Sequence, residues 1–430
     1  MSLPRSLLEQ VFGAACRACD PERAVADWLR ADAPEPRRRF GVAIGKAALA
    51  MARGAGPVHR GLVVTPDASD VALPEGWRVL VSSHPVPDER SVAAAREVIA
   101  LVEEAGEDDL VLALISGGTS ALVELPLVPL ADFVALTSAL MARGAPIAEL
   151  NMVRGALSAI KAGGLALRSR APIITLVASD VIGDDPRVIG SGPTIAADPE
   201  QAEAANDNAT HVANDNENAA TRPDVALRRI RAREILEQHG LDVPAILTDD
   251  GFDRETLHED RSADRVALVL PMVCFAEAII KELAKHTNRP VTLLEPIATD
   301  AAIAAEAIAK RVRDSAADAI VVAWGEPTIT VPEDHGEGGR AQQLALVLAK
   351  HLGGIERSAL AIGSDGSDGP PPRDRPTPAG AFVDGATWDR IVGAEAALAR
   401  CDAGSVLASI GALVITGSTG INHADVVIVG

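Results

Sequence analysis

The sequence contains no tyrosine, and only six phenylalanines and four tryptophans among its 430 residues. Its core must therefore come from Ala, Val, Leu and Ile, and stacking of nucleic-acid bases on aromatic rings is excluded as a main activity. Cationic side chains are also short in number: 40 Lys and Arg stand against 60 Asp and Glu, a formal charge of −20. That balance repels a phosphate backbone over most of the surface, and the single basic cluster, Arg37 to Arg39, reads as a solvated loop before a strand. The four cysteines make no disulfide framework in a chain this long. Cys16 and Cys19 lie at helical spacing without a second ligand pair, so they read as helix thiols. No apolar run is long enough to cross a bilayer, and the opening MSLPRSLLEQVFGAAC is an amphipathic helix carrying charges rather than a secretory signal. The expectation is a cytoplasmic protein with neither nucleic-acid nor membrane partner.

What is present is an α/β pattern on a chain too long for one core. Short Val/Leu/Ile runs (RFGVAIG, GLVVT, RVLVSS, LVLALIS, APIITLVAS) alternate with Ala-rich helical stretches, which implies a mostly parallel sheet covered on both faces. From Asp198 to Asp224 the composition turns polar, with ANDN repeated at 205 and 213, and reads as a flexible loop or linker. This predicts an N-terminal Rossmann-like α/β domain over 1–222 and a C-terminal α/β domain over 225–430. The second half contributes RVALVLP, RPVTLLEP, DAIVVAW, TITVPE, SALAIGS and ALVITGS. The short spacing in IVVAWGEPTITVPEDHG predicts a hairpin there, and so a mixed sheet.

Glycine-rich breaks follow several of these strands, where open α/β sheets hold their ligands. In GVAIGKAAL, Lys46 opens a helix and is well placed for an anion. It is no P-loop: the glycines are one residue too close, and Ala47 stands where Ser or Thr should meet magnesium. Ser116, Gly117, Gly118, Thr119 and Ser120 form a turn whose backbone N–H groups can converge on a phosphate, although a tight structural turn uses the same residues. Read as one helix, ELNMVRGALSAIKAGGLA places Asn151, Arg154, Ser158 and Lys161 on a single polar, cationic face suited to an anion. In SDVIGDDPRVIGSGPT, Asp180, Asp184 and Asp185 gather past a strand, followed by Ser191, Gly192 and Thr194. Such carboxylates suit a hydrated Mg2+ or an acceptor hydroxyl, and the neighbouring donors suit moving phosphoryl charge. Asp, Gly and Pro are equally the ordinary residues of turns. Later come Glu326 in WGEPTITV, then Gly338, Gly339 and Arg340 at a helix start, where Arg340 can approach a phosphate. Asp365 and Asp368 in GSDGSDG lack the spacing of a calcium loop, and a late Gly-rich turn carries Asn422 and Asp425.

The order and wording of these motifs resemble the glycerate 2-kinase family, whose C-terminal part is the MOFRL domain. AIGKAA, SSHPVPDERS, LISGGTSAL, LNMVRGALSAIKAGGLA, SDVIGDDPRVIGSGPT, GEPTITV, GEGGRAQQLAL and GSDGSDG carry the likeness over nearly the whole chain. The resemblance implies a two-domain α/β fold with its site in the interdomain cleft, ATP and a divalent metal such as Mg2+, and 2-phosphoglycerate as product. It makes Lys46 and Arg340 the leading catalytic candidates. Chemistry then suggests that these two neutralise the transferring phosphoryl group, that Asp180 or Asp184 orients metal or acceptor hydroxyl, and that Arg154 and Lys161 hold a carboxylate or a nucleotide phosphate. The chain departs from the family pattern at Thr119 (usually Gly), at Ala341, Gln342 and Gln343 (Asn–Gln–Glu), at Ser364 (Thr) and over Ser418 to Asn422, and it adds PPPRDRPTP after Asp368. These departures leave the acceptor open. Two other readings stand beside the kinase. One is a hydroxypyruvate reductase, a name often attached to the family, although no G-x-G-x-x-G opens an early helix. The other is a divergent paralogue that phosphorylates another sugar acid or only binds an anion. A homodimer stays open.

Overall fold

The computed structural model describes residues 2–32, 34, 36–67, 72–195, 225–248, 258, 260–372 and 374–430. The expected linker at 198–224 lies outside the described residues. The chain divides into two compact units: Pro21–Pro271 forms one, and Met1–Asp20 together with Met272–Gly430 forms the other. This partition differs from a cut at 222.

In the unit Pro21–Pro271, the strands are β1 (Arg39–Ile44), β2 (Arg60–Thr65), β3 (Trp77–Val81), β4 (Leu110–Ile115), β5 (Ile173–Ala178) and β6 (Arg265–Leu270). All neighbours are parallel, in the order β3-β2-β1-β4-β5-β6. β4 and β5 are buried at every residue, which explains why they read as continuous apolar runs rather than alternating ones. The helices are α2 (Pro21–Asp32), α3 (Ala48–Ala55), α4 (Glu89–Glu104), α5 (Thr119–Leu122), α6 (Leu130–Ala142), α7 (Ile147–Ala156) and α8 (Val225–Gln238), following α1 (Arg5–Ala18), which belongs to the other unit. One core lies between the sheet and α4, built from Val42, Ile44, Val64, Ala95, Val98 and Val102 among others. A satellite core joins α6, α7 and α8 through Phe133, Leu140, Leu150, Val153, Ala232 and Leu236.

The RVALVLP run, assigned from sequence to the second domain, is instead β6, the edge of this first sheet. A second correction concerns the cationic helix: α7 stops at Ala156, so Ser158 and Lys161 leave the face shared by Asn151 and Arg154 and enter the turn that follows.

The other unit holds β7 (Val291–Leu293), β8 (Ile320–Gly325), β9 (Ser358–Gly363), β10 (Gly380–Asp384), β11 (Leu413–Val414) and β12 (Asp425–Val429), in the order β11-β10-β9-β12-β8-β7. Its helices are α9 (Cys274–His286), α10 (Ala301–Asp314), α11 (Arg340–His351), α12 (Thr387–Arg390), α13 (Ala394–Ala399) and α14 (Ala403–Ser409). Helix α1 packs on α9, while α10 and α11 cover β8 and β9 with Ala305, Ile308, Leu344 and Leu348. The sheet is mixed as expected, but not through a hairpin. Only β7 and β8 are parallel, and β12 inserts antiparallel to both β8 and β9. After β8 the chain makes isolated bridges, Ile297 with Gly325 and Asp300 with Thr328, because Pro327 interrupts any strand there.

All four cysteines are free thiols. Among the described residues no helix is long and apolar enough to cross a membrane.

Candidate active site

Strand order 3-2-1-4-5-6 reverses between β1 and β4, and the crevice beyond their carboxyl ends is where such sheets hold ligands. Here that crevice brings together two of the glycine-rich breaks. Lys46 follows β1, and its backbone N–H donates to the carbonyl of Gly117 at 2.9 Å. Ala47 N–H donates to Ser116 Oγ at 3.1 Å. Thr119 Oγ1 donates to Ile44 O at 3.0 Å and to Ser116 O at 2.7 Å. Ser116 and Thr119 are thus buried bolts between the loops rather than groups facing a substrate. Gly45 has φ +125°, and a Cβ there would strike Ser116, so glycine is needed for the loops to touch. The Lys46 side chain itself is exposed, and Gly118, at φ +88°, lies beside it.

The next layer is a buried ionic cluster. Lys161, only 2% exposed, pairs with Glu124 at 2.7 Å and donates to Ser120 O at 2.6 Å. Ser158 Oγ donates to the other Glu124 oxygen at 2.6 Å. Burial pushes the Lys161 ammonium below its usual range, opposed by Glu124. Its charge is already spent, which corrects its reading as a substrate cation. Arg154 is half-buried and makes no side-chain hydrogen bond among the described residues, and burial lowers its pKa against the pull of Glu124. It remains the cation of that segment able to meet a new anion; Asn151 lies one turn earlier on α7.

Beyond β5, Ser191 at φ +60° shares a hydrogen bond with Ser120 at 2.7 Å. Ser191 and Gly192 receive Ala162 N–H and Gly163 N–H on their carbonyls. Thr194 Oγ1 meets Thr175 Oγ1 at 2.8 Å inside the sheet, a structural contact. Asp185 is clasped by Arg187 at 2.8 Å. Asp180 and Asp184 are half-buried in this loop, with Asp184 at φ +55°. Among the described residues no three His, Cys, Asp or Glu side chains gather as a metal site.

In the second unit the arginine candidate is held at the carboxyl edge of β8 and β9. Arg340 Nε donates to Asp425 Oδ2 at 2.6 Å, and its Nη1 donates to Glu326 at 3.0 Å. Asp425 opens β12 opposite both Gly325 and Gly363. Burial pushes the Asp425 carboxyl up to about 7 despite the opposing pull of Arg340. Burial also works against the Arg340 charge, but Asp425 and Glu326 overcome it and hold the guanidinium protonated. Asp368 is buried and accepts from Ala341 N–H at 2.9 Å and Gln342 N–H at 2.8 Å, satisfying the first turn of α11. A Cβ on Gly339 would collide with Asp368. Asp365 accepts from Ser367 N–H at 2.9 Å, closing its own turn. Asp368 therefore serves as a helix anchor. Sequence reasoning passed over Glu124, for which a lone acid inside an apolar run, ALVELPL, was the available signal; it named Asp425 only as part of a late Gly-rich turn, without its partner Arg340.

Residues 7–222 match a family model described as a domain of unknown function, DUF4147, and residues 319–425 match the MOFRL family. A glycerate 2-kinase of Pyrococcus horikoshii is 31% identical over 97% of this chain and 95% of its own. A D-glycerate 2-kinase of Thermotoga maritima is 33% identical over 99% of this chain and 97% of its own. The chain belongs to the glycerate 2-kinase family. Its fold matches the crystal structure of a glycerate kinase from Thermotoga maritima with a TM-score of 0.79 and 31% identity, over 99% of each chain. A protein of Agrobacterium vitis that carries the provisional name hydroxypyruvate reductase is 35% identical over 98% of this chain and 93% of its own. Two departures from the glycerate 2-kinase family pattern have structural reasons. Thr119 fits because Gly190 faces it; a Cβ on Gly190 would lie 2.7 Å from Thr119 Cβ. Ala341 is buried and contributes its backbone N–H to Asp368, so the missing amide leaves no donor of the helix start unpaired.

Proposed function

We propose that this chain transfers the γ-phosphoryl group of ATP to a hydroxyl of D-glycerate, giving 2-phosphoglycerate, in the cytoplasm. The observation that carries the reading is the meeting of the Lys46 loop with the Ser116–Ser120 loop at the switch point. It leaves the exposed Lys46 beside Gly118, in a family that includes proteins named glycerate 2-kinase. Phosphoryl transfer is chiefly positioning plus neutralisation of charge on the equatorial oxygens. Lys46 and Arg340 are the candidate cations for that charge. Asp425 and Glu326 fix the direction of the Arg340 guanidinium, so little reorganisation is needed when phosphoryl charge builds. Arg154 suits the acceptor carboxylate, and Gly117 and Gly118 let phosphate oxygens approach the backbone.

Mg2+ usually takes only one or two protein carboxylates and completes its shell with water and substrate phosphates. Asp180 and Asp184 fit that donor set. Bound there, the ion would neutralise phosphate charge.

The test is ADP release from Mg-ATP with D-glycerate, followed by phosphorus NMR of the product. A 2-phosphoglycerate signal is the expected outcome, and a 3-phosphoglycerate signal would correct the position. Oxidation of NADH by hydroxypyruvate without ADP formation would overturn the kinase in favour of the reductase.

A further inference from the structure

The SSHPVPDERS segment joins β3 to α4, and most of its polar side chains are already hydrogen-bonded. Ser82 Oγ donates to Leu122 O at 2.6 Å, and Ser83 Oγ donates to Val86 O at 2.7 Å. Asp88 and Ser91 form the capping box of α4. His84 and Glu89 are the exceptions: both are exposed, and among the described residues neither side chain makes a hydrogen bond; of the two, His84 is the one that lies against Gly118. A Cβ built on Gly118 would lie 3.1 Å from His84 Cδ2, 3.3 Å from His84 Nε2 and 3.6 Å from Lys46 Cγ. Imidazole and lysine, coming from the ends of β3 and β1, therefore pack beside the same glycine of the loop after β4.

The charged groups that act on the ring are Lys46 and Asp67, past the ends of β1 and β2. Burial and Lys46 push its pKa below the ordinary histidine value, and Asp67 opposes them. A neutral imidazole beside a fixed cation is a proton acceptor placed where an acid would be attracted.

We propose that His84 is a catalytic residue of the transfer. Its Nε2 takes the proton of the acceptor hydroxyl while that oxygen bonds to the γ-phosphorus and the bond to the ADP oxygen breaks; the ring then gives the proton to water. This rests on the kinase reading above.

His84→Gln and His84→Ala test it. A general base contributes on the order of 10²–10⁴-fold, so kcat of His84→Gln falls at least about 100-fold with KM for glycerate little changed. The acid limb of the wild-type kcat/KM profile disappears, and added imidazole restores turnover to His84→Ala in proportion to its neutral form. Turnover of His84→Gln within about fivefold of wild type, or an acid limb that persists, overturns the assignment. Ring signals of carbon-13 histidine-labelled protein separate this from failure of the kinase reading. The His84 signal, identified by its loss in His84→Gln, titrates below the usual histidine range and moves on addition of inorganic pyrophosphate even if glycerate is not the acceptor. A signal that pyrophosphate leaves unmoved removes His84 from the site.

Discussion

Lys46 and Arg340 looked alike in the sequence, each a lone cation beside glycine, but they sit in different energetic settings. Lys46 is exposed, so Lys46→Ala should lower kcat about 10²–10³-fold, the usual cost of one transition-state donor. A melting curve should place this variant within about 2 °C of wild type, since changes at exposed positions stay near ±0.5 kcal/mol. Arg340→Ala should lose turnover to a similar degree and stability as well, because it strands the buried Asp425 carboxylate. The double variant Arg340→Ala with Asp425→Asn should recover the stability and not the turnover. Recovery of both would show that Arg340 is structural.

Asp425 also sets a pH dependence. Its carboxyl is pushed up to about 7 in the folded chain, against about 3.9 in an unfolded one. A raised pKa means that the folded state binds the extra proton. The contribution to stability is therefore fully present below about pH 4 and is lost as pH rises through about 7. Melting temperatures of Asp425→Asn across pH 5 to 8 should follow a flatter course than those of wild type. An unchanged slope would show that Arg340 keeps Asp425 ionised throughout.

At the scale of elements, the turn after α7 shows how a cation can be structural. Lys161 holds the Ser120 carbonyl and the Glu124 carboxylate from one buried position, and so ties the turn to the end of α5. Removing one partner of such a pair typically costs about 3–5 kcal/mol because the other charge is left buried. Lys161→Ala should thus melt far below Lys46→Ala in the same buffer. Pairing it with Glu124→Gln should restore much of the loss. The opposite ranking would place Lys161 with the substrate-binding cations. Sequence periodicity misled here because a 3.6-residue pattern continues through Ser158 and Lys161, whereas the chain leaves the helix at Leu157, where Leu127 N–H donates to Leu157 O and Ala159 N–H to Leu125 O.

At the scale of the whole molecule, β6 and β12 decide which chain segments can fold together. β6 reaches the first sheet after the polar segment, and α8 joins the satellite core with α7. A fragment covering 21–271 should therefore fold, with a cooperative transition in urea, while 21–222 should not, since it lacks an edge strand and one wall of that core. Folding of 21–222 to the same stability would restore a boundary at 222. The last strand, β12, is central rather than peripheral, with β8 and β9 both hydrogen-bonded to it.

The sequence by itself determined the class of fold, the strands of the first sheet through β5, the positions of the glycine breaks and the family. Those features are written in local pattern: period, turn residues and motif order, which depend on near neighbours along the chain. Only the tertiary structure decided that β6 belongs to the first sheet, that β12 runs between β8 and β9, and that Asp368 anchors α11. It likewise decided that Lys161 is already paired with Glu124, that Asp425 grips Arg340, and that His84 stands beside Lys46. Each of these depends on groups tens of residues to about a hundred residues apart, whose charges and hydrogen bonds are settled by burial, a quantity that no local spacing encodes.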